Sequence, residues 1–417
     1  MPAADFTQLE DEVIFDEWRA HRLAGKRSLT RAGDFAAALG VNLGSHPVPT
    51  LGVVGSKGKG TAAIYASAAL AAHGLRVGTI TSPGLLANRD RIRINGQALP
   101  ESDYLRVIAD IARAKKQLPP VGTDRHYLSP TGTFILGGVN ALIGAGCDVL
   151  VAEAGMGGAS DELSLLPLDV VVVTAIFGEH LDVLGPTVGD VARDKIGVIA
   201  ARTAGVISVR QTDPVQREIS RACARAGVPL LARQPEWSAH LADLLPPGHG
   251  AENALAGIRA AAALLATGPG RTFDLAALRA VLASLHYPGR LSVHQLAQGR
   301  LVLDTAVSRA GLATAMAFAR RTFGHDPARI LVSLPVTKDI AGFVTALQRT
   351  TSECVFVNLE HEHLPYPASG QWPWRWLDEK DMDGTVLSGN VLAAGTVSFI
   401  SSLMRRVGVD GERLFTT

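Results

Sequence analysis

A glycine-rich stretch, Gly52-Val53-Val54-Gly55-Ser56-Lys57-Gly58-Lys59-Gly60-Thr61, carries the residue types that handle phosphate. An apolar run at 48–54 leads into it, and an alanine-rich helical stretch at 62–73 follows. A strand, a flexible turn, a lysine and a hydroxyl residue opening a helix form a phosphate cradle. Backbone N–H groups and the positive helix end face the phosphates, Lys59 adds a cation, and Thr61 reaches Mg²⁺. The spacing departs from the common Gly-x4-Gly-Lys-Ser/Thr pattern, because Gly60 separates Lys59 from Thr61. A plain glycine-rich turn would leave Lys59 without a purpose.

The elements that must position this loop are legible as apolar runs at 48–54, 75–80, 148–152, 169–176 and 205–209, separated by alanine-rich helical patterns. Unbroken β-branched runs alternating with helices predict a parallel sheet covered on both faces. Val170 to Val173, four valines in a row, suit a central strand. A helix at 253–265 closes this region, and Pro288-Gly289-Arg290 punctuates the chain. A second alternation follows, with strands expected at 301–304, 330–334, 354–358 and 391–394. The prediction is an α/β protein: a nucleotide-binding domain with a mostly parallel sheet over 1–290 and a smaller Rossmann-like α/β domain over 291–417. Residues 364–376, with Pro365, Pro367 and Pro373, read as an irregular loop.

Composition narrows the function classes. A chain of 417 residues divides into two domains, each with its own core. A net charge of +1 offers no footprint for nucleic acid or an anionic membrane. Cys147, Cys223 and Cys354 are too far apart for a zinc cluster or a disulfide framework, and fit a reducing compartment. The first residues, Met-Pro-Ala-Ala-Asp-Phe, lack a basic-then-apolar signal. Residues 128–147 are uncharged but rich in glycine, and read as a buried helix running into a strand rather than a membrane span. A cytoplasmic protein is expected.

Further motifs fall at the carboxyl ends of the expected strands, where open parallel sheets place ligands. They are Thr81-Ser82-Pro83, Glu153-Ala154-Gly155-Met156-Gly157-Gly158 and Gly178-Glu179-His180. In this order, with the phosphate loop, they resemble the folylpolyglutamate synthase/dihydrofolate synthase family, relatives of the Mur ligases. Residues 55–61 resemble the family's Gly-Thr-Asn-Gly-Lys-Gly-Ser loop, and 81–86 its Thr-Ser-Pro-His-Leu segment. Arg91-Ile92-Arg93-Ile94-Asn95-Gly96 matches the family's segment outright, and 193–197 is similar to its Glu-Lys-Ala-Gly-Ile helix.

The resemblance implies ATP and Mg²⁺ as cofactors, and it implies roles. Gly55, Ser56, Lys57, Gly58, Lys59, Gly60 and Thr61 would cradle the triphosphate. Thr61, Ser82, Glu153 and His180 would hold Mg²⁺, and Lys195 would bind a second metal once carbamylated. Asn253 would approach adenine, while Arg290 and Asp304 would contact the nucleotide from the second domain. Lys59, His180, Lys195 and Arg290 would be catalytic, and Asp161 would meet the acyl substrate. Weaker echoes are Lys338-Asp339 and Gly395-Thr396, for which a capping aspartate and a structural glycine serve equally well.

The departures fall on the acyl side. Thr131-Gly132 stands where the family has Phe-Glu, Gly84 where it has histidine, and Gly157 to Ser164 where it has Gly-Gly-Arg-Leu-Asp-Ala-Thr-Asn. Asp161 survives in that segment. Val307 and Ser308 replace a histidine and an asparagine near the nucleotide. The resemblance therefore implies an ADP-forming amide ligase, joining a small carboxylic acid to an amino acid such as L-glutamate, with a non-folate acid favoured. It also implies a monomer with neither nucleic-acid nor membrane partners. A phosphotransferase or ATPase, or a nucleotide-binding protein without ligase activity, are the alternatives.

Overall fold

The computed structural model describes residues 6–44, 48–268, 272–359 and 364–417. The N-terminal residues read for a signal lie outside this set, apart from Phe6. The chain divides into two compact units. The first comprises residues up to 245, then 249–285 and 412–417, and the second comprises 246–248 and 286–411.

The first unit contains β1 (Lys26–Arg27), β2 (Thr50–Val54), β3 (Val77–Ile80), β4 (Ile92–Ile94), β5 (Gln97–Ala98), β6 (His126–Tyr127), β7 (Val149–Glu153), β8 (Val170–Val173) and β9 (Gly205–Ser208). Seven of them form one sheet in the order β5-β4-β3-β7-β2-β8-β9. Strands β3, β7, β2, β8 and β9 run parallel, and every residue of β2, β3, β7 and β8 is buried. This is why those runs read as continuously apolar. The antiparallel edge pair β4–β5 was not foreseen, being short and interleaved with Arg93 and Asn95. Strands β1 and β6 pair separately, setting Arg27 beside Tyr127.

Helix Lys59–Ala72 packs against helix His249–Thr267 so closely that a Cβ on Gly257 would lie 2.1 Å from the Ala62 carbonyl oxygen. The uncharged stretch after Leu128 folds as helix Pro130–Gly144, largely buried, and leads into β7. No described helix is long and apolar enough to cross a membrane. The last six residues return to this unit. Ala98 N–H donates to the Glu412 carbonyl (2.8 Å), Leu414 N–H to that of Gly96 (3.1 Å), and Arg89 pairs with the Glu412 carboxylate.

The second unit holds β10 (Arg290–Gln295), β11 (Arg300–Asp304), β12 (Arg329–Ser333), β13 (Glu353–Asn358), β14 (Arg375–Asp378) and β15 (Val391–Gly395), in the order β10-β11-β15-β12-β13-β14. All pairs but the β10–β11 hairpin are parallel. Its four expected strands are present. Strands β10 and β14 are additional; β14 begins inside the proline-rich stretch, where Trp376 pairs with Phe356.

Candidate active site

The phosphate loop leaves the carboxyl end of β2. Gly55 (φ 138°) and Gly58 (φ 92°) adopt backbone conformations that side chains disfavour. Neither has room for one. A Cβ on Gly55 would lie 2.0 Å from Thr174 Oγ1, and one on Gly58 2.2 Å from Asn253 Nδ2. Ser56 N–H donates to the Ala175 carbonyl (2.9 Å), pinning the loop to the end of β8. Lys59 and Thr61 lie in the first turn of the following helix, whose leading N–H groups have no intrahelical acceptors. Asn253 donates to the His249 carbonyl (2.8 Å), while its buried Oδ1 has no hydrogen-bond partner among the described residues.

Two ammonium groups converge on one carbonyl. Lys59 Nζ and Lys195 Nζ each donate to Gly55 O at 3.1 Å. Lys195 is 1% exposed and pairs with Glu179 at 2.9 Å. Burial, aided by the neighbouring Lys59 charge, lowers the Lys195 pKa although Glu179 opposes the shift.

Ser82 follows β3, and its N–H donates to Glu153 Oε2 (3.0 Å) at the end of β7. These two metal candidates therefore meet. His180 is exposed and takes a left-handed conformation (φ 49°) ahead of a short helix. Among the described residues, no three His, Cys, Asp or Glu side chains converge as a metal cage. The oxygen donors Thr61, Ser82 and Glu153 suit a hard cation such as Mg²⁺, and the glycine cradle suits phosphates.

The segment before β4 explains Gly84. Asp90 accepts from Leu85 N–H (2.6 Å), Leu86 N–H (2.7 Å) and Ala87 N–H (3.1 Å), folding 84–87 into a tight turn. A Cβ on Gly84 would lie 2.1 Å from the Ala87 carbonyl, so the histidine of the resembling segment has no place in this turn. Arg91 lies over the Phe134 ring at 4.4 Å and donates to Asn88 Oδ1 (2.9 Å).

The loop after β7 is held by a residue the sequence reading passed over. Asp194 accepts from Gly158 N–H (2.9 Å), Ser160 N–H (3.1 Å) and Ser160 Oγ (3.1 Å), and its own carbonyl accepts from Ala159 N–H (2.7 Å). Arg27 donates to Met156 O (2.6 Å) and Ser160 Oγ (2.8 Å), and lies 3.5 Å from Asp161. Asp161 is fully buried and accepts from the Met156 and Leu163 N–H groups, both at 3.0 Å. Only Asp194's place beside Lys195 could have signalled it.

In the second unit, Arg290 and Asp304 are cross-strand partners in the β10–β11 hairpin. Arg290 stacks over Tyr287 (5.7 Å), and Asp304 accepts from Leu291 N–H (3.0 Å). The weaker echoes have structural duties. Asp339 caps helix Ile340–Leu347, Thr396 caps Val397–Arg406, and a Cβ on Gly395 would lie 2.4 Å from the Ser333 carbonyl. Ser308 likewise caps Arg309–Phe323.

No protein-family model matches the chain. It is 28% identical over 296 residues to the dihydrofolate synthase/folylpolyglutamate synthase of Escherichia coli, covering 67% of this chain and 65% of that protein. To the Mycobacterium tuberculosis enzyme of that name it is 28% identical over 377 residues, covering 82% and 76%. The fold matches the M. tuberculosis folylpolyglutamate synthase structure complexed with ADP and AMPPCP at a TM-score of 0.79 and 22% identity, over 96% of this chain and 99% of that one. Along most of its length the chain is similar to folylpolyglutamate synthase/dihydrofolate synthases, and it shares their fold. In this α/β fold Ser82 N–H meets Glu153, and Arg27 and Asp194 anchor the loop after β7.

Proposed function

We propose that this protein is an ATP-dependent ligase that joins a carboxylic acid to the amine of an amino acid, L-glutamate or a relative, through an acyl phosphate. One observation carries the reading. Adjacent residues of helix Val188–Ile196 hold both halves of such a site: Lys195 grips the phosphate loop at Gly55, and Asp194 grips the loop after β7. Phosphate handling and the segment that would meet the acid are thereby anchored on one rigid turn, which is what in-line transfer requires.

On this reading the acid's carboxylate oxygen attacks the γ-phosphorus, and the bond to ADP breaks. The amine then attacks the activated carbonyl, phosphate leaves with the former carboxylate oxygen, and the amine loses a proton. Lys59 and the first-turn N–H groups orient the phosphates and offset the charge that spreads over them. Thr61, Ser82, Glu153 and His180 would hold Mg²⁺, and Lys195, once carbamylated, would bind a second metal. The ion supplies further charge neutralisation when bound. Asn253, with its unpartnered Oδ1, is suited to accept an N–H from adenine.

The rebuilt acyl side supports an acid other than the family's folates. The Thr131 methyl packs where a Gly155 side chain would begin, Gly132 leaves its space to Glu162, and residues 84–87 close tightly. We place the protein in the cytoplasm, where its three free, buried cysteines stay reduced. The reading is tested by ¹⁸O transfer: an acid labelled in its carboxylate should deliver one ¹⁸O to the released phosphate. Release of unlabelled phosphate alongside amide product would contradict the acyl-phosphate route.

A further inference from the structure

Glu162 follows Asp161 directly and is fully buried, yet its two oxygens fare differently. Oε1 accepts from Ser129 Oγ at 2.6 Å. Oε2 has no hydrogen-bond partner among the described residues; Arg27 NH1, 4.0 Å away, is beyond bonding reach. The surroundings show that the carboxyl is seated by construction. A Cβ on Gly132 would lie 2.3 Å from Glu162 Cδ, so the absence of a side chain at 132 is what admits it. Position 132 on helix Pro130–Gly144 carries no side chain, and the carboxyl of Glu162 occupies that space.

The neighbouring groups are already committed. Both Asp161 oxygens accept backbone N–H groups, and Arg27 spends NH2 on Met156 and Ser160. Tyr127, paired with Arg27 across β1–β6, is near enough for its hydroxyl to sense both Arg27 and Glu162. Two carboxyls thus share one guanidinium, and Glu162 Oε2 is the acceptor left over. A buried acceptor without a donor costs roughly 1–3 kcal/mol, a cost that a bound ligand removes.

Resting on the ligase reading, in which this loop faces the acid, we propose that Glu162 determines acid specificity. Its Oε2 accepts a hydrogen bond from a planar N–H donor on the substrate, of amidine, guanidine or aminopyrimidine type. An acid of the same shape without the donor would leave Oε2 unpaired, which is how a site built around a hydrogen bond rejects an analogue.

The test is calorimetric binding to the full chain with Mg-ADP, using two matched pairs of acids. Pteroate is compared with 2-desamino-2-methylpteroate, and 4-guanidinobenzoate with 4-isopropylbenzoate. In at least one pair the donor-bearing acid should bind about 10-fold or more tightly than its partner. Glu162→Gln and Glu162→Asp, the second withdrawing the oxygen by one methylene, should each erase that preference while Mg-ADP affinity stays unchanged. A preference that survives in either folded variant, or no preference in the wild type with either pair, overturns the proposal. The ligase reading is judged separately, by ¹⁸O transfer in the wild type, which does not depend on Glu162.

Discussion

Lys195 and Glu179 form an ion pair of 2.9 Å at the Gly55 carbonyl, with the lysine almost wholly out of water. Removing the lysine strands Glu179, whose partial contact with water keeps the cost below the roughly 3–5 kcal/mol of a fully buried pair. Lys195→Ala should therefore lower the denaturant midpoint as well as turnover. Loss of turnover with unchanged stability would show that the pair is not a structural element.

The same lysine should carry CO₂. Burial lowers its pKa, so more of it is the neutral amine that attacks CO₂. Protein equilibrated with ¹³C-bicarbonate should show a carbamate carbon in its NMR spectrum, absent from Lys195→Arg. Identical spectra would remove the modification from the account.

Asp194→Asn should act on the acid rather than on ATP. It weakens charge-assisted bonds to Gly158 and Ser160, each worth roughly 1.5–3 kcal/mol, so KM for the acid should rise at least 10-fold. KM for ATP should change little, because Lys195 retains Gly55. Equal increases in both would mean that the two loops are not separately anchored.

Glu162 gives a pH signature. Burial, with Asp161 beside it, raises its pKa from the ordinary 4.5 to about 7. A raised carboxyl makes the folded state hold its proton longer than the unfolded chain does. Its contribution is most favourable below pH 4.5 and declines as pH rises towards 7. Glu162→Gln should thus gain stability relative to wild type between about pH 5 and pH 8, read from melting curves. A stability difference flat across that window would show that the carboxyl does not titrate there.

The fully buried strands were the most legible part of the chain, because burial on both faces leaves an unbroken apolar run such as Val170 to Val173. Strands at or next to a sheet edge were not. Ile92–Ile94 alternates with arginine, and Arg375–Asp378 follows prolines, so neither carries that signal. The phosphate loop and the Ser82–Glu153 pair could be placed because glycines, a lysine and strand ends coincide within a few residues. Asp194, Arg27 and Glu162 could not. Their meaning comes from partners such as Gly158, Met156 and Ser129, more than thirty residues away in each case. The glycines at 84 and 132 show the same limit: each reads as a lost function in sequence and as a steric requirement in the fold.

The most direct measurement of the central claim is ADP release with Mg-ATP and L-glutamate, with dihydropteroate, tetrahydrofolate, other carboxylic acids and no acid run in parallel, each with product masses. The account expects release that needs both an acid and the amine, an amide product of matching mass, and loss of both in Lys59→Ala. Release at the same rate with neither acid nor amine, or an undiminished product from Lys59→Ala, would contradict it.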